Sequence, residues 1–286
     1  MPISPLNELL LRPPFLAALL FAVLFAGAAY AARLLTASGA VSTLIVGVIV
    51  FGLGGGGFAV PLLTFFLTSS LLSKIGKAQK AAANRGDAKG ATRDAAQVWA
   101  NGGIAALMAL LFGLFAASWP LAQTRYVMML FLAALSTVNA DTWATEIGKL
   151  SHSPPRLLTN WKPVTPGTSG AISGMGTLGA LLGALIIPLS ALFLWTNLTF
   201  IEIFAVTWAG FLGSLVDSVL GATLQAQYKD QTTGETTERN IGADGRSALF
   251  ARGLSWFSND VVNFLASVGG AICAYILLRY GAYKFY

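Results

Sequence analysis

The sequence predicts an all-α, polytopic membrane protein of about eight transmembrane helices, forming a single integral membrane domain over residues 1–286. Three observations carry this. Only 10% of the residues are charged and 55% are hydrophobic, where an average soluble domain carries roughly 25% charge. Residues 34–73, 95–124 and 163–201 contain no Asp, Glu, Lys or Arg, and these stretches are long enough for crossings of roughly 20 residues each. Nearly all the charge falls instead in three islands, Lys74–Asp94, Asp141–Lys162 and Lys229–Arg252.

Taken in order, the apolar runs place spans at about 14–33, 36–54, 57–73, 96–117, 124–141, 170–194, 201–225 and 257–279. The first run is span-length and no basic segment precedes it, so a cleavable signal is not expected. Gly54-Gly55-Gly56-Gly57 lacks the Gly-Lys-Ser/Thr ending of a phosphate loop and reads as a flexible turn between spans 2 and 3. Alternating through eight spans puts every Lys and Arg on one face except Arg12, Arg125, Arg279 and Lys284. The positive-inside rule makes that face cytoplasmic. The net charge of +6 is then a local field that attracts head groups and nucleotides, not a sign of nucleic-acid binding. The single Cys273 lies in the last span, which excludes a disulfide or a cysteine-based zinc cluster. His152 reads as a solvated loop residue.

Short matches suggest a parallel internal repeat of spans 2–4 and 6–8, about residues 35–115 and 167–280. Ser38-Gly39-Ala40-Val41-Ser42 recurs as Ser169-Gly170-Ala171-Ile172-Ser173, and Phe66-Leu67-Thr68-Ser69 as Phe211-Leu212-Gly213-Ser214. Arg93-Asp94 with Gln97 resembles Asn259-Asp260 with Asn263. Such a repeat would bring the islands together over one central cleft.

The islands hold the residues suited to chemistry. Lys74 and Lys77 share a face if the third span continues as helix, and with Arg85 and Arg93 they suit phosphate oxygens. Gln97 and Asn101 stand one turn apart at the entrance of span 4, where a topology signal alone needs no amides. Asp141-Thr142-Trp143-Ala144-Thr145-Glu146 sets two carboxylates and two hydroxyls on neighbouring helical stripes. That is an oxygen-only set of the kind Mg²⁺ takes. In Gly213-Ser214-x-x-Asp217-Ser218-x-x-Gly221 a carboxylate lies about eight residues, roughly 12 Å, from the span's end. Burial at such depth costs at least roughly 2.5 kcal/mol, so Asp217 faces a cation, a partner or water. The flanking glycines read either as close helix packing or as space for a ligand. Asp260, Asn259 and Asn263 form a further polar entrance, and Thr168 and Ser169 offer an anion seat before span 6.

The set Lys74-x-x-Lys77, Gln97-Val98-x-Ala100-Asn101-Gly102-Gly103, Asp141-Thr142-x-Ala144-Thr145-Glu146, Pro163-Val164-x-x-Gly167-Thr168-Ser169-Gly170 and Gly213-Ser214-x-x-Asp217-Ser218-x-x-Gly221-Ala222 resembles the membrane family of plant phytyl-phosphate kinase and animal transmembrane protein nineteen. The resemblance covers roughly residues 35–280. It implies transfer of the terminal phosphate of a nucleoside triphosphate, CTP, to a prenyl monophosphate, giving a prenyl diphosphate such as phytyl diphosphate for tocopherol, phylloquinone or chlorophyll side chains. A phosphate acceptor is already anionic, so the enzyme must chiefly position two phosphate groups and cancel their charge. On this reading Asp217, Lys74, Lys77, Asp141 and Glu146 are catalytic. Mg²⁺ is held by some of Asp141, Glu146, Asp217 and Asp260, while Arg85, Arg93, Gln97, Asn101, Thr142, Thr145, Thr168, Ser169, Ser214, Ser218, Asn259 and Asn263 bind substrate. The expected partners are the prenyl-phosphate lipid, the nucleotide and membrane lipids, with a homodimer left open. The Ala- and Gly-rich sequence points to a bacterial plasma membrane. A cytidylyltransferase or a lipid alcohol kinase would use the same charged set, and an anion transporter is a further alternative, favoured by the repeat and by Asp217.

Overall fold

The computed structural model describes residues 13–76, 80, 92–234, 236–241 and 245–281. Lys77, Arg85 and the rest of the first island between 81 and 91 lie outside these residues.

Among the described residues, eight helices are long and apolar enough to cross a membrane. They are α1 (Pro13–Ala31), α2 (Ala37–Gly47, continuing as a π-helix over Val48–Gly54), α3 (Gly56–Lys74), α4 (Ala95–Phe115), α5 (Leu121–Gly148), α6 (Gly174–Ala191), α7 (Phe200–Thr223) and α8 (Asn259–Gly281). Caps set their starts. Thr36, Asp94, Ser173 and Thr199 each accept a backbone N–H of the first turn, and at Thr199 a reciprocal bond from Glu202 completes a capping box.

The centre is α5. Every residue from Phe131 to Ala140 is buried, the pattern of a helix covered on all sides. Small residues let its neighbours close in. A Cβ on Gly183 would stand 2.9 Å from Trp143, one on Gly210 2.4 Å from Ser136, and one on Gly213 2.4 Å from the Thr137 hydroxyl. Gly213, one turn before Asp217, is therefore a packing contact, in line with the first of the two readings of that stripe. Gly221 likewise faces the Ser169 hydroxyl, 2.6 Å from its would-be Cβ.

Polar contacts fix the helix directions. Arg125 near the start of α5 pairs with Glu202 near the start of α7, so these helices run parallel. Backbone bonds join Leu34, Thr36 and Arg93 at 3.0 Å, aligning the starts of α2 and α4. Two small antiparallel sheets cap the end opposite the Arg125–Glu202 pair: β1 (Arg156–Leu157) with β2 (Ala171–Ile172), and β3 (Gln227–Lys229) flanked by β4 (Thr236–Thr237) and β5 (Leu249–Arg252).

Several expectations are corrected. The fifth span reaches Gly148, not 141, because its charged last turns face a protein cavity and not lipid. The third ends at Lys74, with Ile75 extended and Gly76 at φ +65°, so no continuous helix joins Lys74 to Lys77. The tetraglycine run is a tight break: Gly55 takes φ +76°, and a Cβ on Gly57 would overlap the Trp195 indole. The two halves of the first repeat match differ locally. Ser38–Ser42 lies in the first turns of α2, whereas Ser169–Ser173 is loop and β2, ahead of α6.

Candidate functional site

At the capped end α5, α6, α7 and α8 splay apart around a cavity of about 790 Å³. Its wall draws on the second and third islands and on the helices and loop beside them: Asp141, Thr142, Thr145, Glu146 and Lys149 from the end of α5, Thr168–Ser173 from the loop before α6, Ser214, Asp217 and Ser218 from α7, Glu238–Ile241 beside β4, and Asn259 and Asp260 from the first turn of α8. Gln97 of α4 closes one side.

Asp217 sits six residues before Thr223, about 9 Å from the helix end at a 1.5 Å rise. Its Oδ2 is buried without a hydrogen-bond partner. Asp141 and Glu238 stand close enough to repel it electrostatically. A buried carboxylate oxygen left without a donor, facing further negative charge, costs free energy that a cation would recover. Around it the hydroxyls spend their protons inside their own helices: Thr142 donates to Val138 O at 2.8 Å, Ser214 to Phe211 O at 2.8 Å and Ser218 to Ser214 O at 3.2 Å. Only their lone pairs remain for the cavity. Carboxylate and hydroxyl oxygens of this kind are a hard, cation-seeking surface. Among the described residues no three acidic, His or Cys side chains converge into a complete metal cage. Mg²⁺ does not need one, since it keeps water and substrate phosphates as ligands beside one or two carboxylates.

Glu146 has a different status. Lys80, 1% exposed, donates to its Oε2 at 2.6 Å and to Leu72 O at 2.7 Å. Glu146 thus reaches the cavity with its charge largely answered. Lys80, which continues the three-residue spacing of Lys74 and Lys77, enters the interior, while Lys74 is exposed and off the cavity wall.

Arg93 is also turned inward. It donates to the Ser69 and Ser70 hydroxyls at 2.8 and 3.1 Å and lies over the Phe66 ring, 4.9 Å from its centroid. Burial pushes its guanidinium down to about 10, against the opposing pull of the Glu146 charge. It does not line the cavity, so its predicted phosphate contact is replaced by a tie between α3 and α4. The cations on the wall are Lys149 and Arg239.

Thr168 and Ser169 line the cavity but do not sit at a helix N-terminus. That place belongs to Ser173, and Gly167 and Gly170, at φ +89° and +76°, turn the loop away first. Ser169 donates to Gln225 Oε1 at 2.5 Å, and Gln225 Nε2 donates to Glu238 Oε1 at 2.7 Å, a relay that locks loop, helix end and sheet together. Asn101 and Asn263 lie on α4 and α8 but do not border the cavity. Sequence reasoning missed Lys80, Lys149, Gln225, Glu238 and Arg239. Only Lys80 carried a signal, its three-residue spacing from Lys77.

Comparison with known proteins agrees with this architecture. The model of the integral membrane protein family DUF92 matches residues 20–271. Protein PGR of Arabidopsis thaliana is 33% identical over 273 residues, 87% of this chain and 92% of its own. An uncharacterized membrane protein of Methanocaldococcus jannaschii is 32% identical over 193 residues, 68% of this chain and 76% of its own. The chloroplastic Protein VTE6 of Arabidopsis thaliana is 24% identical over 247 residues, 86% of this chain and 66% of its own. No solved structure matches the chain significantly.

Proposed function

The chain belongs to the integral membrane protein family DUF92, and on that premise we propose that it is a Mg²⁺-dependent phosphotransferase making a prenyl diphosphate, such as phytyl diphosphate, from a prenyl monophosphate and CTP. The observation that carries this reading is the orphaned Oδ2 of Asp217 on the wall of a cavity shared with Asp141 and Asp260 and flanked by Lys149 and Arg239. An acid that awaits a cation, beside bases that suit phosphate, is what two phosphate groups need in order to meet. The likeness of the Asp141–Glu146 and Gly213–Gly221 motifs to phytyl-phosphate kinase supports the choice of substrate.

In the proposed reaction an oxygen of the prenyl phosphate attacks the γ-phosphorus of CTP. The bond from that phosphorus to the β–γ bridging oxygen breaks, and CDP leaves with the electron pair. The acceptor is an anion at neutral pH, so no general base is required. Asp217 and one of Asp141 and Asp260 would hold Mg²⁺, which, when bound, would screen the charge between the two phosphate groups. Lys149 and Arg239 bind phosphate oxygens, Thr142, Ser214 and Ser218 supply neutral oxygens, and Asn259 orients the acceptor. Glu146 acts through Lys80, holding the end of α5 against the segment that follows α3. The excess of Lys and Arg at the mouth supports a cytoplasmic orientation, and the Ala- and Gly-rich sequence supports a bacterial plasma membrane.

A transporter would need a path to the other side, but the far half of the bundle is filled. Phe58, Phe112, Phe131 and Trp195 pack ring to ring there, with centroids 4.6–6.4 Å apart. Incubating the purified protein with prenyl monophosphate and CTP labelled at either the α or γ position tests the reading. Labelled CDP with prenyl diphosphate is expected. Pyrophosphate release would instead make the protein a cytidylyltransferase, and no turnover of either kind would overturn the proposal.

A further inference from the structure

Between α7 and α8 the chain leaves the bundle, forms the β3–β4–β5 sheet and returns, and the returning stretch from Leu249 to Trp256 has an apolar outer side. Leu249, Phe250, Leu254 and Trp256 are 58%, 52%, 42% and 68% exposed. Strand β5 is at the edge of its sheet. Its residues Leu249, Phe250 and Ala251 are exposed in succession, so neither face of the strand is covered. Facing water alone, a bare apolar edge of this kind is an aggregation site. The inner side of the same stretch belongs to the polar cavity. Ser255, between Leu254 and Trp256, lies on the cavity wall, and so does Tyr228, whose ring stands 5.8 Å from that of Phe250.

Hydrogen bonds fix the height of this stretch against the bundle. Arg252 donates to Ala222 O in the last turn of α7. Leu254 N donates to Leu224 O, and Ala226 N to Phe257 O, both at 2.9 Å. The 24 residues of α7 extend about 36 Å, against a hydrocarbon core of about 30 Å with polar layers of about 5–7 Å on each side. Centred on the core, α7 overruns it by about 3 Å at each end. Leu224, and the Leu254 bonded to it, therefore stand inside the head-group layer.

We infer that Leu249–Trp256 lies in the head-group layer of the protein's own membrane, a non-spanning anchor beside the cavity. Its chemistry fits that depth. Trp is enriched at membrane–water interfaces, and the water there satisfies the free backbone groups of an edge strand, which hydrocarbon does not. Val219 and Leu224, exposed near the end of α7, continue the apolar strip from the span to Leu254. Lys229, the sheet partner of Leu249, and Arg246 are exposed cations of the kind that anionic head groups attract. So seated, the stretch sets Ser255 and its part of the cavity wall level with the lipid phosphates, whatever reaction the cavity performs.

The experiment uses the full chain in liposomes of phosphatidylcholine and phosphatidylglycerol, with Cys273→Ser removing its own thiol. A nitroxide is attached through Leu249→Cys, through Leu254→Cys or, as the aqueous reference, through Thr232→Cys in the exposed turn after β3. Power-saturation electron paramagnetic resonance then compares collisions with oxygen, which concentrates in lipid, and with a nickel chelate, which stays in water. The oxygen-to-nickel ratio at 249 and 254 is expected to exceed that at 232 at least about threefold, as for side chains sunk to the head-group and acyl boundary. A ratio at either site as low as that at 232 would overturn the assignment. Low access to both reagents would overturn it too, because a second copy of the chain or another protein would then cover the strand. A second measurement leaves the sequence untouched. A phosphatidylglycerol carrying a diazirine beside its glycerol should label the peptide holding residues 249–256 and spare residues 230–234, and label confined to the spanning helices would contradict the anchor.

Discussion

Helix α7 carries one carboxylate at each end, and the two have opposite surroundings. Glu202, in its first turn, is saturated: Arg125 donates to both carboxylate oxygens, and the backbone N–H and hydroxyl of Thr199 each donate to Oε2 at 2.8 Å. Asp217, four turns on, has a buried oxygen with no donor and two further carboxylates nearby. The first acid completes a cap and an ion pair, and it leaves nothing over for a ligand. The second keeps a lone pair uncommitted at a buried site. Residue type does not distinguish a structural acid from a functional one on the same helix; the bookkeeping of donors does.

The largest expected effect is on turnover at the Asp217 end. Asp217→Asn should lower kcat at least about a hundredfold, since even the outer-shell partners of metal ligands are worth about 10–100-fold, with unchanged elution as a folded particle in detergent. Activity within twofold of wild type would remove Asp217 from the site.

Next comes the Lys80–Glu146 pair. Lys80→Ala leaves a half-buried carboxylate unanswered and should cost roughly 3 kcal/mol of stability together with about tenfold in activity. Lys74→Ala, exposed and off the wall, should change nucleotide affinity less than about twofold. Isothermal titration of both variants with CTP sharpens the comparison, and a stronger effect at Lys74 would reverse the assignment of the two lysines.

At the saturated end the effect should be on stability alone. Arg125→Ala removes a partly exposed partner, so about 1–2 kcal/mol is expected, seen as a lower Tm in detergent with kcat per folded molecule unchanged. Gly213→Ala should also act through stability. Its methyl would press on Thr137 at 2.4 Å, an overpacking that costs typically 1–3 kcal/mol. A loss of activity in Gly213→Ala without loss of Tm would mean that the glycine serves the ligand after all.

The bundle was readable because lipid imposes it: charge-free runs of sufficient length gave all eight helices within a few residues. The largest departure, the extension of α5 to Gly148, arose where that logic lapses. Asp141 and Glu146 end a hydropathy window, but a helix facing a polar cavity need not stop there. The site was legible where a carboxylate broke an apolar run, as at Asp217, or formed a dense motif, as at Asp141–Glu146. Glu238 sits among Thr236, Thr237, Arg239 and Asn240 in a loop of ordinary polarity, and only the fold carries it to the cavity through Gln225. Arg93 shows the converse error. Its charge suggested phosphate, yet its bonds run to Ser69 and Ser70, serines of α3 whose place beside it no local pattern reveals.

The most direct measurement of the central contrast is Mn²⁺ binding followed by electron paramagnetic resonance, with and without CTP, in wild-type protein and in Asp217→Asn and Glu202→Gln. Tight, CTP-enhanced binding that is lost in Asp217→Asn and kept in Glu202→Gln is the predicted result. Equal binding in all three proteins would contradict it.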